Sequence, residues 1–160
     1  MAIGRERFAQ GIVVRLFRAW SAQIEAEAPA LPRLQEIVAP LNLPDETTVA
    51  CASLFELLES HLGRRLEPEC CCSQQFSRDE RALLGVIELA PSLGALSGSL
   101  AVPHGLPGAI VWACIAIRRA FGMSESDQAR AGGGAPARRC PFAPDPAPPQ
   151  TAPRETANGA

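Results

Sequence analysis

Apolar positions along the first part of the chain recur at the spacing of one helical face. Val13, Phe17, Trp20 and Ile24 follow i, i+4, i+7, i+11, and Ile12 and Leu16 widen that stripe. Arg7, Arg18 and Glu25 fall on the opposite side. The pattern predicts a helix over about Arg5–Glu27, ended by Pro29 and Pro32, and a short helix over about Arg33–Ala39 that carries Leu34, Ile37 and Val38. A third helix follows "NLPDETT". Asp45 is its N-cap or first-turn acid, Cys51, Phe55, Leu58 and Leu62 form its apolar face, Glu56, Glu59 and Ser60 form its wet face, and Gly63 ends it. A fourth starts at Ser77, where "SRDE" reads as a capping box pairing Ser77 with Glu80. Leu83, Ile87 and Ala90 then point inward, Arg81, Gly85 and Glu88 outward, and Pro91 is expected to end the helix. Ser92–Leu100 reads as a short helix or an irregular link. The last helix, about Pro107–Phe121, is apolar on all sides through Ile117, which predicts a buried central helix closed by Arg118, Arg119 and Gly122.

Together these elements predict an all-α fold: a compact bundle of four main helices plus one or two short ones. From Met123 onward Pro, Ala and Gly replace large apolar residues. The expected organisation is therefore a helical domain over residues 1–122 and a disordered Pro/Ala/Gly-rich tail over 123–160. A length of 160 residues fits one domain, and an apolar fraction of 47% is enough for a real core.

Charge narrows the function classes. A formal net charge of −2 carries no basic footprint, so nucleic-acid binding is not expected. All 15 basic residues are Arg, which excludes a Schiff-base or phosphate-loop lysine and, with the high Ala and Pro content, points to a GC-rich bacterial source. Charges interrupt the N-terminal apolar run, so it does not read as a secretory signal, and the expected location is cytoplasmic. Leu89–Ile117 contains no Asp, Glu, Lys or Arg, but Pro91, Pro103 and Pro107 break it, so membrane insertion is not expected either.

The chemistry candidates centre on "ECCCSQQFSRDERALL", residues 69–84. In an extended segment Cys70 and Cys72 face one side and Cys71 the other, so Cys70 and Cys72 are the candidate metal ligands. All three, Cys70, Cys71 and Cys72, are redox candidates. Paired Cys-x2–4-Cys zinc spacing is absent, and completing a metal sphere would require Cys51, His61, His104 or Cys140. A disulfide between adjacent cysteines is disfavoured, because their Cα atoms lie only about 3.8 Å apart. Glu67 and Glu69 are expected to raise the thiol pKa values, and burial of one or two thiols beneath a loop is the plainer alternative. The carboxylates read as surface pairs: Glu56 with Glu59 on a wet face, Asp79 with Glu80 at a helix start. No catalytic constellation includes either histidine, and no cofactor motif is present, so neither catalysis nor a cofactor is expected.

The run Cys70–Cys72, the linker "SQQFSRDE" and the paired Leu83 and Leu84 resemble a group of small bacterial helical proteins. These carry a Cys-Cys-Cys run, a short polar linker and an acidic capped helix. The resemblance implies a helical fold and no assigned activity. The function expected from the sequence is a non-enzymatic cytoplasmic interaction or regulatory module. Its partner would be a protein not specified by the sequence, as is its oligomeric state. The alternative is a thiol-based metal-binding or redox-sensing protein that uses Cys70–Cys72.

Overall fold

The computed structural model of the chain describes residues 2–96 and 105–123. The tail beyond Met123, with Cys140, and the segment holding His104 lie outside the described residues. In chain order the helices are α1 (Ala2–Glu25), α2 (Ala30–Val38), a 3₁₀ turn (Ala39–Leu41), α3 (Glu46–Leu62), α4 (Arg78–Leu96) and α5 (Gly105–Ala120). Among the described residues no strand occurs, and the all-α bundle expected from the periodicity is the observed fold. No helix among them is long and apolar enough to cross a membrane.

Chain reversals fall where the local chemistry requires them. Asn42 and Gly63 adopt left-handed conformations directly after the 3₁₀ turn and α3, and Gly122 does so two residues past the end of α5. At the end of α5 the Met123 N–H donates to the Arg118 carbonyl at 2.9 Å, closing off helical carbonyls that would otherwise lack partners. Pro32 does not lie beyond a helix end, as expected, but inside the first turn of α2, where its missing N–H has no intrahelical role.

The core lies where α1, α2 and α3 meet, with α4 and α5 closing it; α3 packs on α5 and α4 on α5. Val13, Leu16, Phe17, Leu34, Leu54 and Phe55 are fully buried. Phe17 meets Phe55 edge-on, with ring centroids 5.3 Å apart, and Trp20 lies 5.5 Å from Phe55. These three rings fill the centre of the molecule.

Two further expectations about the helices are corrected. Pro91 does not end α4, which runs on to Leu96. The proline forfeits one backbone bond, but the turn before it is anchored by Ile87 and Ala90, both buried, and packing outweighs propensity. Nor is α5 the buried centre. It buries one stripe, Ile110, Cys114, Ile117 and Phe121, while Val111 and Ile115 are half-buried and Trp112 is 54% exposed. Among the described residues only α3 and α4 pack substantially against it, so the apolar circumference is not enclosed by them on every side. Accordingly, Ile117→Asp should cost more than about 4 kcal/mol, the range reached when a charge is forced into a core. Ile115→Asp should cost well under half of that. Equal shifts in thermal midpoint for the two variants would refute this placement of α5.

Candidate functional site

The connection between α3 and α4, residues 63–77, has no regular secondary structure of its own, yet many of its polar groups are held by hydrogen bonds. At its start the guanidinium of Arg64 grips Asp79 in two bonds of 2.6 and 2.9 Å. Asp79 also accepts from the Glu67 N–H at 3.0 Å. The Leu66 N–H donates to Glu59, which places the Leu66 side chain in the core. At its end stands the capping box predicted from "SRDE". The Glu80 N–H donates to Ser77 Oγ at 3.0 Å, and the Ser77 N–H donates to Glu80 Oε2 at 2.9 Å. The Ser77 hydroxyl in turn donates to the Glu67 carbonyl at 2.7 Å, joining the two ends of the connection.

Glu80 does more than cap α4. Its side chain is completely buried and forms an ion pair with Arg18 from α1, whose side chain is 11% exposed. The pairing is bidentate, with Arg18 Nε to Oε1 at 2.7 Å and Nη2 to Oε2 at 2.9 Å. The rest of the guanidinium faces the loop backbone. Nη1 donates to the carbonyls of Cys70 and Ser73 at 3.0 and 2.7 Å, and Nη2 donates to that of Gln75 at 2.8 Å. All five N–H donors of Arg18 are thereby used. Glu80 completes its own set by accepting the Glu69 N–H at 3.1 Å. Sequence reading placed Arg18 on the outward side of its helix and Asp79 and Glu80 among the surface pairs. The structure corrects both. Arg18 reaches across to a helix 62 positions away in sequence, and both carboxylates are buried. The helical wheel of α1 shows only that Arg18 lies off the main apolar stripe; it does not show what stands beside it.

These contacts set the charges. Burial pulls Glu80 toward protonation, but the hydrogen bonds from Arg18 and from the N–H groups of Ser77 and Glu69 outweigh it, leaving its pKa below the ordinary 4.5. Asp79 is lowered chiefly by its bonds to Arg64. The Arg18 guanidinium is held still more firmly protonated, first by its hydrogen bonds to Glu80. Groups whose folded pKa is depressed bind fewer protons folded than unfolded, so their stabilisation is complete above their unfolded values and is lost as pH falls through the folded ones. The urea midpoint should therefore be flat near neutrality and fall below about pH 4.5, with Glu80→Gln starting lower and declining less steeply. An unchanged midpoint down to about pH 3 would contradict this electrostatic account.

Above the Arg18 clamp the backbone makes a turn at the cysteines, in which the Ser73 N–H donates to the Cys70 carbonyl at 2.9 Å. All three thiols of the run are exposed, which corrects the reading that buries one or two of them. Cys70 Sγ and Cys72 Sγ lie 2.9 Å apart, within hydrogen-bonding reach. The bond from Cys72 lowers the Cys70 pKa, with the Arg18 charge adding a smaller push, and the same pairing raises that of Cys72. The expected acidic influence of Glu67 and Glu69 is not what divides them. Cys51 and Cys114 are a different kind of cysteine, buried in α3 and α5 and pushed up to about 12, chiefly by desolvation.

Sequence reasoning placed Cys70 and Cys72 on one side, and the structure does bring them together, through a turn rather than an extended strand. Of the further ligands considered with them, His104 and Cys140 lie outside the described residues, and the other two are not brought in. Cys51 is buried in the core, His61 is exposed near the end of α3, and among the described residues no group of three or more His, Cys, Asp or Glu side chains could hold a metal ion. What sequence reading missed is Arg18, for which no local signal exists. No family model, curated protein or solved structure matches the chain. What stands of the resemblance is the cysteine run and the small helical fold.

Proposed function

We propose that the protein is a non-enzymatic regulatory module whose working element is the Cys70–Cys72 dithiol, which closes to a disulfide on oxidation by a hydroperoxide. The reading is carried by one observation: two exposed sulfurs 2.9 Å apart on a loop whose backbone is clamped. The objection to a disulfide between adjacent cysteines does not apply, since Cys71 lies between the pair. Support also comes from the loop itself. Long connections without secondary structure are uncommon in compact domains and are usually functional or disordered, and this one is tied down at both ends.

The chemistry balances as follows. One thiolate attacks the peroxide, the O–O bond breaks with loss of hydroxide or alkoxide, and a sulfenic acid forms. The second thiol attacks that sulfur, the S–O bond breaks, water leaves, and the disulfide remains. Two electrons pass from the two sulfurs to the peroxide. The signal would be a change in the exposed loop, read by a protein partner. A cytoplasmic setting, which belongs to the same proposal, would return the pair to the dithiol. Membership of the small bacterial proteins that share the cysteine run is part of this reading too, and it rests on residues 70–84.

The test is thiol counting and intact mass on anaerobically reduced protein exposed to stoichiometric hydrogen peroxide. The expected product has lost two hydrogens and two reactive thiols. Cys70→Ser and Cys72→Ser should block it, and Cys71→Ser should not. Loop thiols that react no faster than free cysteine, or a Cys71→Ser variant that fails to form the disulfide, would remove the proposal.

A further inference from the structure

The separation of the two sulfurs restricts what the reduced dithiol can take up. A tetrahedral zinc with bonds of about 2.3 Å holds two thiolates about 3.8 Å apart, and a linear two-coordinate cation spreads them wider still. Cys70 and Cys72 hold their sulfurs at 2.9 Å. Among the described residues no third or fourth His, Cys, Asp or Glu joins them in a metal-sized group. A pyramidal p-block centre fits this donor set better. Its bond angles approach a right angle, so it draws its sulfurs closer together than zinc does, and it needs neither imidazole nor carboxylate. The backbone that carries the two thiols is held in place. The Cys70 carbonyl is held by both the Ser73 N–H and Arg18, and the Ser73 carbonyl by Arg18 as well, so little ordering remains to be done on binding.

We propose that Cys70 and Cys72 form a chelating site for trivalent arsenic, either arsenite or an organoarsenical. The inference rests on the dithiol reading above, in that it uses the same two sulfurs in their reduced form. With arsenite, two As–O bonds break, two As–S bonds form and the two thiol protons leave with the oxygens as two waters. Arsenic remains trivalent and no electrons are transferred. Two sulfurs complete this chelate, so Cys71 is not required.

The test uses the full chain, reduced and anaerobic, titrated with phenylarsine oxide and then with arsenite, and followed by intact mass and by the number of thiols left for a disulfide reagent. The expected result is one arsenic per chain, two thiols withdrawn, and an adduct that survives excess zinc. Cys70→Ser and Cys72→Ser should each weaken binding about a hundredfold, the loss expected when a chelate becomes a single bond. Cys71→Ser should bind like the parent. No adduct, an adduct displaced by zinc, or one lost in Cys71→Ser overturns the proposal. Peroxide treatment of the same preparation separates the two readings. A disulfide without an arsenical adduct removes this inference alone, and an adduct without a disulfide removes the redox reading alone.

Discussion

Arg18→Ala is expected to lower unfolding free energy by about 3–5 kcal/mol, the loss typical of removing one partner from a buried ion pair. Most of that cost comes from what stays behind. The Glu80 carboxylate would remain fully buried with only the Ser77 and Glu69 N–H groups to hold it. Three loop carbonyls, those of Cys70, Ser73 and Gln75, would lose a charged donor at the same time. Arg18→Lys should recover little, because an ammonium offers three donors from one point and cannot span both the carboxylate and the loop. The double replacement Arg18→Met with Glu80→Leu distinguishes the two jobs of the pair. Well-packed apolar residues often replace a buried ion pair at little cost, so the global urea midpoint should return toward that of the parent. The loop would still lack its clamp, and amide exchange at Ser73 should stay fast. An Arg18→Ala protein with an unaltered midpoint and a protected Ser73 amide would show that the clamp contributes nothing.

The second large effect belongs to the aromatic centre. Phe17→Ala should cost about 3–5 kcal/mol, because it removes a fully buried ring packed against two others and leaves a cavity that the surrounding helices close only partly. The edge-on contact with Phe55 and the stacked contact with Trp20, at a centroid separation of 6.2 Å, each add about 0.5–1.5 kcal/mol beyond buried area. Phe55→Ala should cost a similar amount, and the double variant less than their sum, since the first deletion has already removed their mutual contact. Trp20 reports on the event, but Trp112 is exposed and would add a constant background. Measuring Trp20 emission in a Trp112→Phe background should show a red shift in Phe17→Ala as water reaches the cavity. Additive losses would mean that the rings do not act as one cluster.

The candidate site was legible in the sequence to the extent that its parts are local. Ser77 and Glu80 stand three residues apart, so their capping box can be read from "SRDE" alone, and it formed as read. Cys70 and Cys72 stand two apart, so their common side could be anticipated, although the turn that brings the sulfurs to 2.9 Å could not. Asp79 and Glu80 were misread because acids in a first turn are ordinarily solvated there. These two are covered by the connection 63–77, and their cations come from Arg64 and Arg18. For α5 the error has the opposite sign. The composition of Ala109–Ile117 allows burial on every side, but among the described residues only two helices pack substantially against it.

By itself, therefore, the sequence determined the number and order of the main helices, their approximate ends apart from the one at Pro91, the capping box and the apolar stripes of α1 and α3. Each of these depends on residues within one or two turns of each other, where backbone geometry sets the spacing. Only the tertiary structure decided that Glu80 is buried, that Arg18 holds the cysteine loop, that three thiols stay in water while Cys51 and Cys114 do not, and which face of α5 packs inward. A charge is stable in the interior only if a distant segment supplies its partner, and an apolar face is buried only if another element covers it. Both depend on how helices far apart in the chain come together, which no local spacing encodes.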